Sequence, residues 1–185
     1  MNKQPKEFYS LEVNNEYYTP AYAVEPLLEF LEKFRNSTIW LPFDTKDSEF
    51  VKIFTREGYK VVYGHVDNGK NFFTYEPDEW DIAISNPPFQ NKKDTFERLL
   101  SFNKPFAMLM TLTWLNDSAP KRLFRDKDLQ LLMFDERVKY KNAKEDKINF
   151  SSAYYCYNFL PKQIIMRSLK ENKRQLTLFN NLVDK

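Results

Sequence analysis

The chain has 185 residues, a net charge of +2 and 42% hydrophobic residues, enough for one domain with a sizeable core. A charge so small gives no compositional argument for nucleic acid, and any basic surface has to be local. The single cysteine, Cys156, and the single histidine, His65, exclude a disulfide framework and a zinc site built from several Cys or His.

Cysteine usage of this kind fits a reducing compartment. No apolar run approaches the roughly 18 residues of a membrane span. The polar stretch Met1 to Glu7 also lacks a signal-peptide core. A soluble, cytoplasmic protein without a membrane partner is expected. Aromatic residues make up 17% of the chain, which predicts an aromatic core, and there are only three glycines, Gly58, Gly64 and Gly69.

Residues 1–16 are polar and mixed and read as a loosely attached arm. Tyr17-Tyr18-Thr19-Pro20 then leads into an amphipathic helix over Ala21–Phe34, with Val24, Leu27, Leu28, Leu31 and Phe34 on one face. Thr19 is placed as its N-cap and Pro20 as its first helical residue. Thr38–Phe43 is the first predicted strand. The loop Asp44–Ser48 follows, then a helix over Glu49–Glu57 with Phe50, Val51 and Phe54 apolar.

Gly58 turns the chain into a second strand, Tyr59–Tyr63, which ends in Gly64-His65-Val66-Asp67. An acceptor just past such a strand binds ribose hydroxyls in nucleotide-binding α/β folds. Asp67 is the first candidate and His65 the second, with a solvated turn an equal alternative for either.

After a third strand at Ile82–Ser85, Gln90–Asp94 reads as a polar lid or contact loop whose Lys92 and Lys93 can meet phosphates. A helix over Thr95–Phe102 and a buried parallel strand over Pro105–Leu112 come next. Then follow a short helix at Lys121–Arg125, a strand at Leu129–Phe134, a basic strand at Arg137–Tyr140 and a long strand over Ser152–Pro161. Lys170–Lys185 is a polar tail with Leu176, Leu178 and Phe179 as an apolar cluster.

The chain is organised around Glu79-Trp80-Asp81-Ile82-Ala83-Ile84-Ser85-Asn86-Pro87-Pro88-Phe89. A short β-prone run stops at an Asn that the next proline holds extended, and two prolines cannot continue a ladder. An amide and an aromatic ring are thereby presented at the C-terminal end of a strand, where open α/β sheets bind ligands.

Asn86-Pro87-Pro88-Phe89 resembles the Asn-Pro-Pro-Tyr/Phe motif of S-adenosylmethionine-dependent amino methyltransferases, in a compact, phage-like, DNA adenine-N6 form. An exocyclic amine on a ring is a poor nucleophile because its lone pair is delocalised. Carbonyl groups accepting its two N–H bonds favour a pyramidal nitrogen, and a stacked ring holds a flipped base. The resemblance spans about residues 17–165. It implies an α/β fold of Rossmann-like methyltransferase type, with a mostly parallel twisted sheet, a C-terminal antiparallel strand pair and helices on both faces. One domain covers 1–185 in this reading, with no separate target-recognition domain.

The resemblance also implies a cofactor, S-adenosylmethionine. Tyr18, Thr19 and Pro20 stand where the family has its N-terminal cofactor segment. Pro42, Asp44, Asp47 and Ser48 stand where it has an acidic, glycine-rich loop, although the glycines are missing here; Asp44 or Asp47 would pair with the cofactor's ammonium group. Asn71 stands where an Asp is common and would accept from the adenine amine. Phe72 would lie on the adenine face or fill the core. Lys139, Tyr140, Asn149 and Phe150 are candidates for shaping the target-base pocket.

The function expected is methyl transfer to N6 of adenine in DNA, with cytosine N4 or RNA adenine as variants. Asn86 and the Pro87 carbonyl would polarise the amine and Phe89 would stack, with neither a metal nor a covalent intermediate needed. DNA is the expected partner, with a partner subunit or the loops at Gln90–Asp94 and Lys141–Lys147 supplying target choice. Two alternatives stand beside it: a protein-glutamine methyltransferase, and a non-catalytic binding protein whose cofactor loop has degenerated.

Overall fold

Thr38-Ile39-Trp40-Leu41 forms the first strand, β1, and stops there because Pro42 has no N–H to give to a ladder. The structure, a computed structural model, describes residues 18–140 and 148–169, with the backbone alone at 148–150. The arm 1–16, Tyr17, the loop Lys141–Lys147, the tail Lys170–Lys185 and the side chains of Asn149 and Phe150 lie outside the described residues.

The helical stretch predicted over Ala21–Phe34 is broken. It runs as α1 (Ala21–Val24), a 3₁₀ turn (Glu25–Leu27), α2 (Leu28–Leu31) and a second 3₁₀ turn (Glu32–Phe34). Pro26 is the cause, because its ring collides with the Tyr22 carbonyl and it cannot donate. Pro20, not Thr19, is the N-cap, and no side chain caps this end. Next come α3 (Glu49–Arg56) and β2 (Lys60–Tyr63). Between them the chain closes through Gly58 at φ 79°, with Tyr59 N–H reaching back 2.9 Å to the Phe54 carbonyl.

Strand β3 (Ile82–Ser85) is set against the start of β1 by Asp81. Its carboxylate accepts from Thr38 N at 2.7 Å and its own N–H donates to Thr38 O at 2.9 Å. The remaining elements are α4 (Lys92–Ser101), β4 (Phe106–Thr111), α5 (Ser118–Leu123), β5 (Gln130–Phe134), β6 (Val138–Tyr140), β7 (Ile148–Phe150), β8 (Ser152–Tyr157) and β9 (Ile164–Arg167).

Seven strands pair in the order β2-β1-β3-β4-β8-β5-β9. All pairs are parallel except those of β8, which runs antiparallel between β4 and β5. The fold is thus α/β and mostly parallel, with antiparallel pairs contributed by the C-terminal part, as expected. The partners differ, however. The segment Arg137–Tyr140 does not pair with Ser152–Pro161; β6 pairs with β7 in a separate two-stranded ribbon. Strand β9 was not anticipated, although Ile164-Ile165-Met166 carries the β-prone run that signals one.

Alternation along the strands divides the core between the two faces of the sheet. Ile39, Leu41, Ile82, Ile84, Ala107, Leu109, Tyr154 and Cys156 pack under α1, α2 and α3. Trp40, Ala83, Phe106, Met108, Met110, Tyr155 and Tyr157 pack under α4 and α5. The second layer is a run of touching rings, including Trp40–Trp80 at 4.9 Å and Phe96–Trp114 at 4.6 Å. That is where much of the aromatic content goes. Among the described residues no helix is long and apolar enough to cross a membrane.

Candidate active site

The chain leaves β1 towards β2 on one side, then crosses back to place β3 on the other side of β1. Strand order therefore reverses between β1 and β3, and loops leaving their C-terminal ends diverge around a crevice. Asp44 follows β1, His65 follows β2 and Asn86 follows β3. All three sequence candidates stand at this edge.

Asp44 is buried, and its backbone N–H donates 3.0 Å to the Gly64 carbonyl while Gly64 N–H donates 3.0 Å to Leu41 O. These two bonds lace the ends of β1 and β2. The Asp44 carboxylate accepts from the Ser85 hydroxyl at the end of β3. Burial pushes the Asp44 carboxyl up to about 6, although hydrogen bonds from Ser85 and Ser48 and the charge of His65 pull the other way. A carboxyl perturbed by burial at such an edge is a functional-site candidate.

The loop that lacks glycines takes a path that needs none. No residue from 42 to 48 has a positive φ. Ser48 caps α3, accepting from Val51 N at 3.2 Å. Of the two acidic candidates, Asp44 faces the strand ends and Asp47 is exposed.

After β2, Gly64 allows a close return. A Cβ there would meet Lys70 Cβ at 2.9 Å. His65 then caps a 3₁₀ turn (Val66–Asn68), receiving Asp67 N–H on Nδ1 at 3.3 Å and donating its own N–H to Asn68 Oδ1 at 3.0 Å. Asp67 Oδ2 lies 3.2 Å from the same Nδ1, with its side chain 76% exposed. The turn thus places His65 towards Asp44 and Asp67 on the rim.

Two cofactor candidates are used by the fold itself. Asn71 Oδ1 accepts from Phe73 N at 2.9 Å in an Asx turn, so the carbonyl expected to meet an adenine amine already takes one hydrogen bond from the fold and keeps its second lone pair. Phe72 is 1% exposed, with rings of Phe43 at 4.7 Å and Trp40 at 5.5 Å, and takes the core place of the two that the sequence allowed.

At the motif, Pro87 is buried, Pro88 exposed, and Asn86 and Phe89 half-buried. The side-chain oxygen of Asn86 is itself buried. Phe89 packs on the layer containing Phe96 and Trp114. The residues after it are not a loop as expected, because α4 begins at Lys92 behind Asn91 in the left-handed region at φ 55°. Lys93 is held in this first turn by Glu97 at 2.8 Å.

The N-terminal segment adds Thr19, whose Oγ1 is buried and takes no hydrogen bond among the described residues. Tyr18 is 56% exposed and Pro20 half-buried. Helix α1 that follows is anchored by Tyr154, whose hydroxyl donates 2.9 Å to Ala23 O.

The expected base-pocket residues separate. Lys139 is exposed, while its N–H donates 2.9 Å to the Tyr22 hydroxyl. Tyr140 is fully buried, its hydroxyl giving 2.9 Å to Ser152 Oγ, and burial drives its phenol far up. It cannot contact nucleic acid without unfolding the ribbon. Ser85 was missed in the sequence. Its signal is a lone hydroxyl closing the strand Ile82-Ala83-Ile84. Among the described residues no group of three His, Cys, Asp or Glu could hold a metal ion.

No protein-family model matches the chain, and no curated protein does. Among solved structures it is similar to a protein of Listeria monocytogenes described as a class I S-adenosylmethionine-dependent methyltransferase. Identity is 11%, coverage 86% of this chain and 68% of the other, and the TM-score 0.47. A second similar structure, from Pyrococcus horikoshii, is described as an RNA methyltransferase, at 14% identity, 85% and 93% coverage, and a TM-score of 0.48. Likenesses at this level concern the chain path alone.

Proposed function

We propose that this chain transfers a methyl group from S-adenosylmethionine to an exocyclic amine, N6 of adenine in DNA. One observation carries the reading. The acidic loop after β1 and the Asn-Pro-Pro-Phe motif after β3 meet at the strand-order reversal, joined through Asp44 and Ser85.

The residues present fit such a cofactor. A buried hydroxyl without a partner costs about 1–3 kcal/mol, and Thr19 Oγ1, which has none among the described residues, is one that a ligand would satisfy. In this reading Tyr18, Thr19 and Pro20 hold one end, Pro42, Asp44 and Ser48 the amino-acid part, and His65 and Asp67 the ribose. When bound, the cofactor supplies a methyl group on a positively charged sulfur.

The acceptor side is the work of the motif. The Asn86 side-chain oxygen and the Pro87 carbonyl accept the two N–H bonds of the amine, which draws its lone pair out of conjugation. Phe89, held against the aromatic layer, stacks on the extruded base. Lys92 and Lys93 at the start of α4, separated from the motif by Gln90 and Asn91, would meet phosphates, with a partner subunit contributing target choice.

Calorimetric titration with S-adenosylmethionine tests the first half, and tritium transfer to DNA, RNA and protein pools tests the second. Heat on titration followed by label in DNA adenine is expected. No heat at millimolar cofactor would sink methyl transfer and leave the non-catalytic alternative, and label in RNA or in a protein glutamine would move the substrate.

A further inference from the structure

Ser85 is the residue that neither the motif nor the loop accounts for. It is 0% exposed, ends a strand whose other three residues are Ile82, Ala83 and Ile84, and pairs in register with Met108. A hydroxyl at such a place has to find an acceptor. It finds the Asp44 carboxyl, 41 residues earlier in the chain.

We propose that Ser85 is a positioning residue, tying the Asp44 carboxyl to the strand end that carries Asn86 so that loop and motif are held as one unit. The functional consequence rests on the methyl-transfer reading; the tie itself does not. Asp44 already holds the ends of β1 and β2 through its backbone N–H and the Gly64 carbonyl. Through Ser85 it also holds β3. Three strand ends around the crevice then share one residue, β1 and β2 through its backbone and β3 through its carboxyl.

An apolar pair of the same volume would hold these strands with less desolvation cost. A buried carboxyl and hydroxyl are therefore better explained by what they position than by stability. Ser48 from the start of α3, His65 after β2 and Tyr154 on β8 also face Asp44. None of them belongs to β3. Among these four residues Ser85 is the one bonded along the backbone to Asn86.

The test uses the ligand-free full chain carrying carboxyl-labelled aspartate, followed by NMR from pH 4 to 9. In the wild type the Asn86 side-chain amide is expected to shift together with the Asp44 titration. In S85A the Asp44 midpoint moves up, because a hydrogen bond to the charged form is lost, and the Asn86 amide stops following it. S85T restores both. If S85A does not fold, S85C keeps the volume with only a weak donor and gives the same readout.

An unchanged Asp44 midpoint in S85A, or an Asn86 amide that follows Asp44 without the hydroxyl, overturns the proposal. In a second arm S85A weakens S-adenosylmethionine binding or transfer ~10-fold and S85T recovers it. A wild type that binds no cofactor defeats the methyl-transfer reading, while the NMR arm still decides the tie.

Discussion

Asp44, in the loop after β1, and Ser85, at the end of the neighbouring β3, lie buried against each other, carboxyl to hydroxyl, where the strand order reverses. The environment raises the Asp44 carboxyl from 3.8 to about 6. The folded state therefore holds the proton more tightly than the unfolded chain does. The stability this group contributes is present in full below about pH 4, declines as pH rises towards 6 and is lost above it.

A shift of about two units corresponds to roughly 3 kcal/mol. Asp44→Asn, which removes the charge and keeps an acceptor for Ser85, is expected to gain up to that amount at pH 8. The gain should vanish near pH 4. Urea unfolding of both proteins between pH 4 and 8 measures the difference, and a difference that does not vary with pH would contradict the burial of the charge.

Asn86→Ala deletes the oxygen assigned to the amine. Transfer is expected to fall about 10²–10³-fold, the cost typical of losing one preorganised polar group at a reacting centre. Cofactor affinity should be unchanged, since the residue lies on the acceptor side. Single-turnover methylation and calorimetry separate the two effects.

Gly64→Ala puts a methyl group 2.9 Å from Lys70 Cβ, an atom too close to the backbone to swing aside. Overpacking of this kind costs about 1–3 kcal/mol. The turn that carries His65 has to move with it. A lower thermal midpoint and weaker cofactor binding are expected together, and a variant with neither would show the turn to be freer than drawn.

Tyr154 and Tyr140 are buried phenols whose hydroxyls donate to Ala23 O and to Ser152 Oγ. Tyr154→Phe leaves the Ala23 carbonyl short of a donor inside the core, at about 1–2 kcal/mol. The loss should appear as a lower unfolding midpoint and as looser protection of the α1 amides in hydrogen exchange.

Lys92 and Lys93 predict an asymmetry. Lys93 is engaged by Glu97 at 2.8 Å, so Lys93→Ala should weaken DNA binding less than Lys92→Ala. Removing a lysine that meets a phosphate lowers the salt slope of binding by about one. Equal slopes in wild type and both variants would remove these lysines from the interface.

Local chemistry made much of this architecture readable. The Pro87-Pro88 pair stops β3 through the missing N–H, Gly58 marks the end of α3, and Ile82–Ser85 appears with the bounds expected for it, whereas Pro42 ends β1 at Leu41, short of the Phe43 expected. These are short-range effects of single residues, so they can be seen in one dimension. Pro26 was equally visible, and its break of the first helix should have been anticipated.

Pairing was not readable in this way. That β8 enters between β4 and β5, and that β6 takes β7 as its partner, depends on which apolar faces fit together across the sheet. Periodicity does not encode that choice. Burial of polar side chains was hidden for the same reason. Tyr140 could be a contact residue or a core phenol, and Asn71 a ligand acceptor or a turn former, until the neighbours were in place.

What the sequence determined by itself is that an amide and an aromatic ring are presented rigidly where a buried strand ends, because proline geometry is local. What only the tertiary structure decided is that Ser85, just before that amide, reaches a carboxyl from the loop after β1. A hydrogen bond across 41 residues exists only once β1 and β3 lie side by side, and their adjacency is a property of the whole sheet.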